Sequence, residues 1–211
     1  MAKILVTGGT GYIGSHTTVE LIEAGYEVLI VDNLSNSRIE TVDRIEQITG
    51  VRPGFENINL CDREKVLWLF NKYPDIDSII HFAALKAVGE SVEKPLEYYH
   101  NNFVSLINLL FAIRKYNISS FVFSSSCTVY GEPDELPITE KAPVKPAMSP
   151  YGNTKQVSEE ILRDIVNADK NIQVISLRYF NPIGAHKSGL IGELPIGAPL
   201  NLVPCVTQTA A

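Results

Sequence analysis

The sequence predicts an α/β fold, a doubly wound parallel sheet with helices on both faces and only the beginning of a smaller C-terminal domain. Three observations carry this. Short apolar runs rich in β-branched residues alternate with stretches whose apolar positions recur at i, i+3, i+4 and i+7, the pattern of successive βαβ units. A glycine-rich turn joins the first such run to the first helical stretch. The composition, 45% apolar with 14 glycines and 12 prolines in 211 residues, suits a packed core and argues against collagen-like or low-complexity chains. A chain of this size buries roughly 70% of the surface its unfolded form exposes, enough to fold without disulfides or a structural metal.

Strands are expected at 4–6, 28–31, 79–82, 121–123 and 174–177, with a weaker one at 55–60. The intervening stretches 12–24, 38–49, 63–72, 95–116 and 149–168 have helical period and read as the crossover helices. Right-handed crossovers then place ligands beyond the carboxyl ends of the strands, so function is expected in the loops that follow them. From about residue 180 onward Pro182, Pro195, Pro199 and Pro204, with Gly184, Gly189, Gly192 and Gly197, break every periodic pattern, and the segment reads as loop, with what looks like the first turn of a helix just before Thr209-Ala210-Ala211. The expected division is a nucleotide-binding domain at 1–180 and the start of an incomplete substrate-binding domain at 181–211.

Eighteen Lys and Arg against 24 Asp and Glu give a net charge of −6 with no basic run, which argues against nucleic acid or an anionic membrane as partner. Cys61, Cys127 and Cys205 are odd in number and widely spaced; they form neither a disulfide framework nor a metal cluster, so no metal site is expected. The apolar run after Met1-Ala2-Lys3 is too short for a signal peptide or a spanning helix. A cytoplasmic protein is the expectation.

In Thr7-Gly8-Gly9-Thr10-Gly11-Tyr12-Ile13-Gly14 each spaced glycine has a mechanical task. Gly8 permits the tight turn, Gly11 lets backbone approach a pyrophosphate, and Gly14 lets helix and strand pack closely, as in a Rossmann dinucleotide site. The helix N-terminus then offers free N–H groups and a favourable dipole to the anion. Asp32 closes the second strand, where an acid accepts hydrogen bonds from the adenosine ribose. A 2′-phosphate would face that carboxylate with only Arg38 nearby, which favours NAD over NADP. Asn59 and Asp62 stand where the adenine edge could be held, and both equally suit turn formation.

Ser124-Ser125-Ser126 ends one strand, and Tyr151-Gly152-Asn153-Thr154-Lys155 opens the next helix. Tyr151 and Lys155, at i and i+4, share one helical face. An ammonium beside a phenol, with an oxidised nicotinamide adding positive charge, should lower the phenol's pKa and make Tyr151 a general base. A serine at the strand end can then hold the substrate hydroxyl.

With these residues the chain resembles the extended short-chain dehydrogenase/reductases, and within them the nucleotide-sugar epimerases. The resemblance runs through 7–14, 32–34, 81–91, 124–131, 151–155 and 178–186. It implies interconversion of UDP-galactose and UDP-glucose through a 4-keto sugar, with NAD taking hydride and returning it to the opposite face, and a homodimer as the family's assembly. Carried over by position, Ser126, Tyr151 and Lys155 are catalytic. Gly8, Gly11, Tyr12, Ile13, Gly14, Asp32, Asn33, Asn59, Leu60, Phe82, Ala83, Ala84, Lys86, Asn101, Ser124, Tyr151, Lys155 and Tyr179 line the cofactor. Lys86, Ser126, Tyr151, Asn181, Asn201 and Leu202 contact the UDP-hexose.

Related dehydratases carry an acidic pair just after the catalytic hydroxyl; here Cys127 and Thr128 occupy those places, and neither can protonate a leaving hydroxyl as a carboxylic acid would. Ala84 replaces a frequent glycine, and Asn59 replaces an aspartate while keeping an acceptor oxygen. Family members continue well beyond residue 211, so the resemblance implies a chain that binds NAD with little epimerase activity. A dehydrogenase acting on another nucleotide sugar and an NAD-binding module without catalysis are the alternatives.

Overall fold

The structure is a computed structural model that describes residues 1–197, 199 and 201–210. Six strands, β1 (Lys3–Thr7), β2 (Glu27–Asp32), β3 (Gly54–Asn57), β4 (Ile76–His81), β5 (Ser120–Ser126) and β6 (Gln173–Tyr179), form one sheet in the order β3-β2-β1-β4-β5-β6. Every neighbouring pair is parallel. The strand order reverses between β1 and β4, and the resulting crevice lies at their carboxyl ends.

The helices are α1 (Tyr12–Glu23), α2 (Glu40–Thr49), α3 (Arg63–Lys72), α4 (Val88–Glu93), α5 (Pro95–Tyr116), α6 (Pro150–Ala168) and α7 (Leu202–Ala210). Val19, Val42 and Ile45 of α1 and α2 pack on one face against Ile4, Val6, Val28 and Ile30. Leu69, Leu106, Leu109, Ile113 and Leu162 of α3, α5 and α6 cover the other face over Leu5, Leu29, Ile79 and Phe121. Leu5 and Val6 are fully buried, because β1 is central and covered on both sides, which is why it reads as an unbroken apolar run. Local chemistry sets several ends. Pro95 and Pro150 occupy first turns, where the missing N–H costs nothing. Asn117 ends α5 in the left-handed region at φ 56°.

The structure departs from the sequence reading at several points. β4 stops at His81, so Phe82 lies in the loop. β3 ends at Asn57, and Ile58 and Leu60 are buried beyond it. β5 runs on to Ser126 because it pairs with β6 as far as Tyr179. α4 and a 3-10 turn at Cys127–Tyr130 are too short to show a helical period. The expected helical turn near residue 209 is the end of a longer helix, α7, which corrects the extent of the loop; Pro204 sits in its first turn and so does not break it. Upstream of α7 the segment packs on the α1/α2 side: Tyr12 Oη donates to the Gly184 carbonyl at 2.7 Å, and Ile191 joins the core there.

Candidate active site

The glycine turn is built for close approach. Gly8 has φ 70°, a left-handed conformation that strains any other residue. A Cβ on Gly8 would stand 2.7 Å from the Ala83 nitrogen, so the Phe82–Ala83–Ala84 segment runs directly beside the turn. A Cβ on Gly14 would lie 2.2 Å from the Gly8 carbonyl oxygen. α1 starts after Gly11 with no side-chain cap and no acid in its first turn. Its first N–H groups and the positive end of its dipole therefore point unclaimed toward the crevice, an arrangement that fits a diphosphate. Tyr12 and Ile13, in that first turn, are half-buried.

Asp32 is buried at the end of β2. One carboxylate oxygen accepts from the Leu34 N–H at 2.9 Å and from Ser37 Oγ at 3.0 Å, and the other from the Thr10 N–H at 3.3 Å. These bonds aim the carboxylate and tie it to the glycine turn. Arg38 is exposed, and Asn33 folds back on the Ser35 N–H at 3.0 Å. Asp62 caps α3 by accepting from the Lys65 N–H at 3.2 Å, the turn-forming alternative. Asn59 also forms a turn through the Cys61 N–H at 3.0 Å, Leu60 places its side chain in the core, and Asn101 donates to Asn102 at 3.0 Å.

Asn102, one residue from the predicted Asn101, is what holds the β4 loop. Its amide accepts from the Leu85 N–H at 2.9 Å and donates to the Leu85 carbonyl at 3.0 Å and to Thr154 Oγ1 at 3.1 Å. Asn102→Ala would orphan both backbone groups, and we expect a loss of about 2 kcal/mol in urea denaturation. Lys86, just beyond, forms an ion pair at 3.3 Å with Glu193, which also accepts from the Asn201 amide. Phe82 lies against the half-buried Tyr179, with ring centroids 6.4 Å apart. Asn181 and Leu202 are exposed.

The residues expected to be catalytic come from β5 and α6. Ser149 caps α6 by accepting from the Gly152 N–H at 3.1 Å, which puts Tyr151 in the positive first turn of the helix. Ser126 is buried and accepts from the Thr128 N–H at 3.2 Å, capping the 3-10 turn that carries Cys127 and Thr128. Lys155 is buried, donates to the Ser124 carbonyl at 2.7 Å, and lies 5.8 Å from the Tyr151 ring centroid. Burial brings its pKa down to about 8. The Tyr151 phenol is held above its usual value, chiefly by burial, against an opposing interaction with the Ser126 hydroxyl. Lys155 gives one of its three N–H donors to that carbonyl, and further positive charge in the crevice would favour phenolate.

The sequence reading passed over Thr7 and His81. Thr7 Oγ1 is hydrogen-bonded to His81 Nδ1 at 2.7 Å and accepts from the Ala83 N–H at 3.4 Å, locking β1 to the loop after β4. A histidine inside a β-branched run gives no pattern signal.

Residues 4–194 match the NAD dependent epimerase/dehydratase family. The chain belongs to that family. Among relatives, it is 55% identical over 207 residues to UDP-glucose 4-epimerase of Bacillus subtilis (strain 168), covering 98% of this chain and 60% of that protein. It is 52% identical over 213 residues to UDP-glucose 4-epimerase of Drosophila melanogaster, covering 98% and 61%. The crystal structure of UDP-glucose 4-epimerase from Bifidobacterium longum in complex with NAD+ and UDP superposes with a TM-score of 0.97 at 49% identity, covering 99% of this chain and 62% of that one. The chain thus spans about three-fifths of the length of these epimerases. Within this epimerase/dehydratase family, Cys127 and Thr128 stand on the 3-10 turn directly after Ser126, with no carboxylate on that turn. Among the described residues no helix is long and apolar enough to cross a membrane.

Proposed function

We propose that the chain binds NAD and carries the hydride-exchanging machinery of UDP-galactose/UDP-glucose 4-epimerisation. The observation that carries this reading is that the uncapped start of α1, the Asp32 carboxylate and the Ser126/Tyr151/Lys155 set all emerge at one edge of the sheet, around the β1/β4 crevice. Gly8, Gly11 and Gly14 leave room for the diphosphate, Asp32 takes the adenosine ribose, and Phe82, Ala83, Ala84 and Ser124 line the path to the nicotinamide. Bound NAD supplies a hydride acceptor and a positive ring. Tyr151 removes the proton from the sugar 4-hydroxyl while Ser126 holds that oxygen, and Lys155 steadies the developing phenolate from the same helix. Lys86, Asn181, Asn201 and Leu202 take the UDP-sugar, the last three from a substrate-binding segment at 181–211 that follows the nucleotide-binding 1–180. The absence of an acid on the 3-10 turn fits epimerisation and not dehydration.

Titration calorimetry of the purified chain should show NAD binding, with NADP about tenfold or more weaker because Asp32 repels a 2′-phosphate. Adding UDP-galactose should produce UDP-glucose slowly, with no lasting absorbance at the reduced-nicotinamide band. Lasting NADH would indicate a dehydrogenase, and failure to bind NAD would refute the reading.

A further inference from the structure

A partly buried ion pair lies behind the catalytic strand end. Ser125 on β5 stands opposite Arg178 on β6, and both reach one carboxylate of α6. Glu159 Oε1 accepts from Ser125 Oγ at 2.5 Å and from Arg178 Nε at 3.0 Å, while Oε2 accepts from Arg178 Nη2 at 2.7 Å. The two side chains are only 10% and 23% exposed. The Arg178 guanidinium also lies 4.7 Å from the ring centroid of Tyr130, in the 3-10 turn that follows Ser126.

Lys155 stands one helical turn before Glu159 and bonds the carbonyl of Ser124, the neighbour of Ser125. α6 is thus fastened to two consecutive residues of β5, and through the arginine fork to β6. Tyr151 lies one turn before the first fastening, and Ser126 one residue after the second. A bidentate guanidinium–carboxylate pair fixes distance and angle together, which a single hydrogen bond does not.

We propose that Glu159, held by Arg178, is a positioning residue that sets α6 against the carboxyl end of β5 and so fixes where Lys155 and Tyr151 stand relative to Ser124 and Ser126. The proposal rests on the catalytic reading of those four residues.

Lys155 itself is the reporter. Facing it are Tyr151 on its own helix, His81 on β4, and the Phe123 ring and Ser124 carbonyl of β5, with Glu159 the charge one turn further along α6. In the chain labelled with ¹³C-lysine, its ε-carbon resonance is identified by its absence in Lys155→Met and titrated between about pH 6 and pH 10. Glu159→Gln removes a negative charge, which by charge alone would lower the lysine midpoint. Slackening of α6 from β5 admits water and raises it, so the two causes have opposite signs. We expect a rise of about half a pH unit, an acid constant about threefold smaller. Ser125→Ala, which changes no charge and removes one bond, should give a smaller rise, and Arg178→Lys, which keeps the charge and loses the fork, a rise as well. A fall or no change in folded Glu159→Gln and Ser125→Ala overturns the proposal. Should Glu159→Gln not fold by circular dichroism, Ser125→Ala decides alone. The titration is done without NAD, so a failure of cofactor binding would strike the functional reading and leave this result interpretable.

Discussion

Gly14→Ala is expected to lower NAD affinity about a hundredfold and to destabilise the chain by on the order of 3 kcal/mol. The added methyl would meet the Gly8 carbonyl oxygen at 2.2 Å, the Gly9 Cα at 2.8 Å and the Gly8 carbonyl carbon at 2.9 Å. All three are backbone atoms, so no side chain can swing aside. Relief requires α1 to back away from β1, and that moves the uncapped N–H groups of its first turn out of register with the crevice. Stability and binding should therefore fall together. Gly89→Ala is the control, since Gly89 is helical and a Cβ there meets nothing within 4 Å. It should leave both quantities near wild type or slightly raise stability. Thermal melts and calorimetry with NAD decide the matter; a Gly14→Ala chain with unchanged melting and affinity would show that the turn has slack the structure does not show.

That glycine turn was legible in the sequence because its chemistry is local: spacing alone separates a tight turn, a close approach and a packing contact. The doubly wound parallel sheet was legible too, since right-handed crossovers leave few ways to join β-branched runs by helices. Two kinds of feature were not. Helices shorter than about two turns, α4 and the 3-10 turn, carry no period to read. Side-chain partnerships across the sheet, such as Asn102 with Leu85 and Glu159 with Arg178, depend on which strands and helices become neighbours. Sequence spacing placed Tyr151 and Lys155 on one helical face, yet it could not reveal that Lys155 would donate a hydrogen bond to the Ser124 carbonyl. Nor does spacing show how deeply the phenol is buried, which is what holds it above its usual value.

The second large effect is on the pH dependence of stability, and it comes from two buried bases. His81, its ring packed near Phe121 and Phe123, has a pKa brought down to about 3, first by burial and then by the charge of Lys155. An unfolded histidine titrates near 6.5, so between these values the unfolded chain binds a proton that the folded chain refuses. Stability should fall as pH drops from about 6.5 to about 3, by on the order of 4 kcal/mol, beginning well before carboxylates such as Glu56 and Glu159 protonate. Lys155 gives the mirror case at high pH. Its folded pKa of about 8 lies below the ordinary 10.5, so between those values the unfolded chain still holds a proton that the folded chain has released. Raising pH from about 8 should therefore stabilise the fold, by up to about 3 kcal/mol, until the buried phenols of Tyr98 and Tyr151, held above their usual value, reverse the trend above about pH 10. Urea denaturation across this range should show both limbs. His81→Gln should flatten the acid one. Lys155→Met should flatten the alkaline one and make the chain more stable at neutral pH, because it removes an ammonium that burial disfavours, while weakening NAD binding. If the alkaline rise persists in Lys155→Met, the lysine is not its source. The alkaline limb follows from the lysine's place: a side chain this deeply buried keeps its charge only at a desolvation cost that the unfolded chain does not bear.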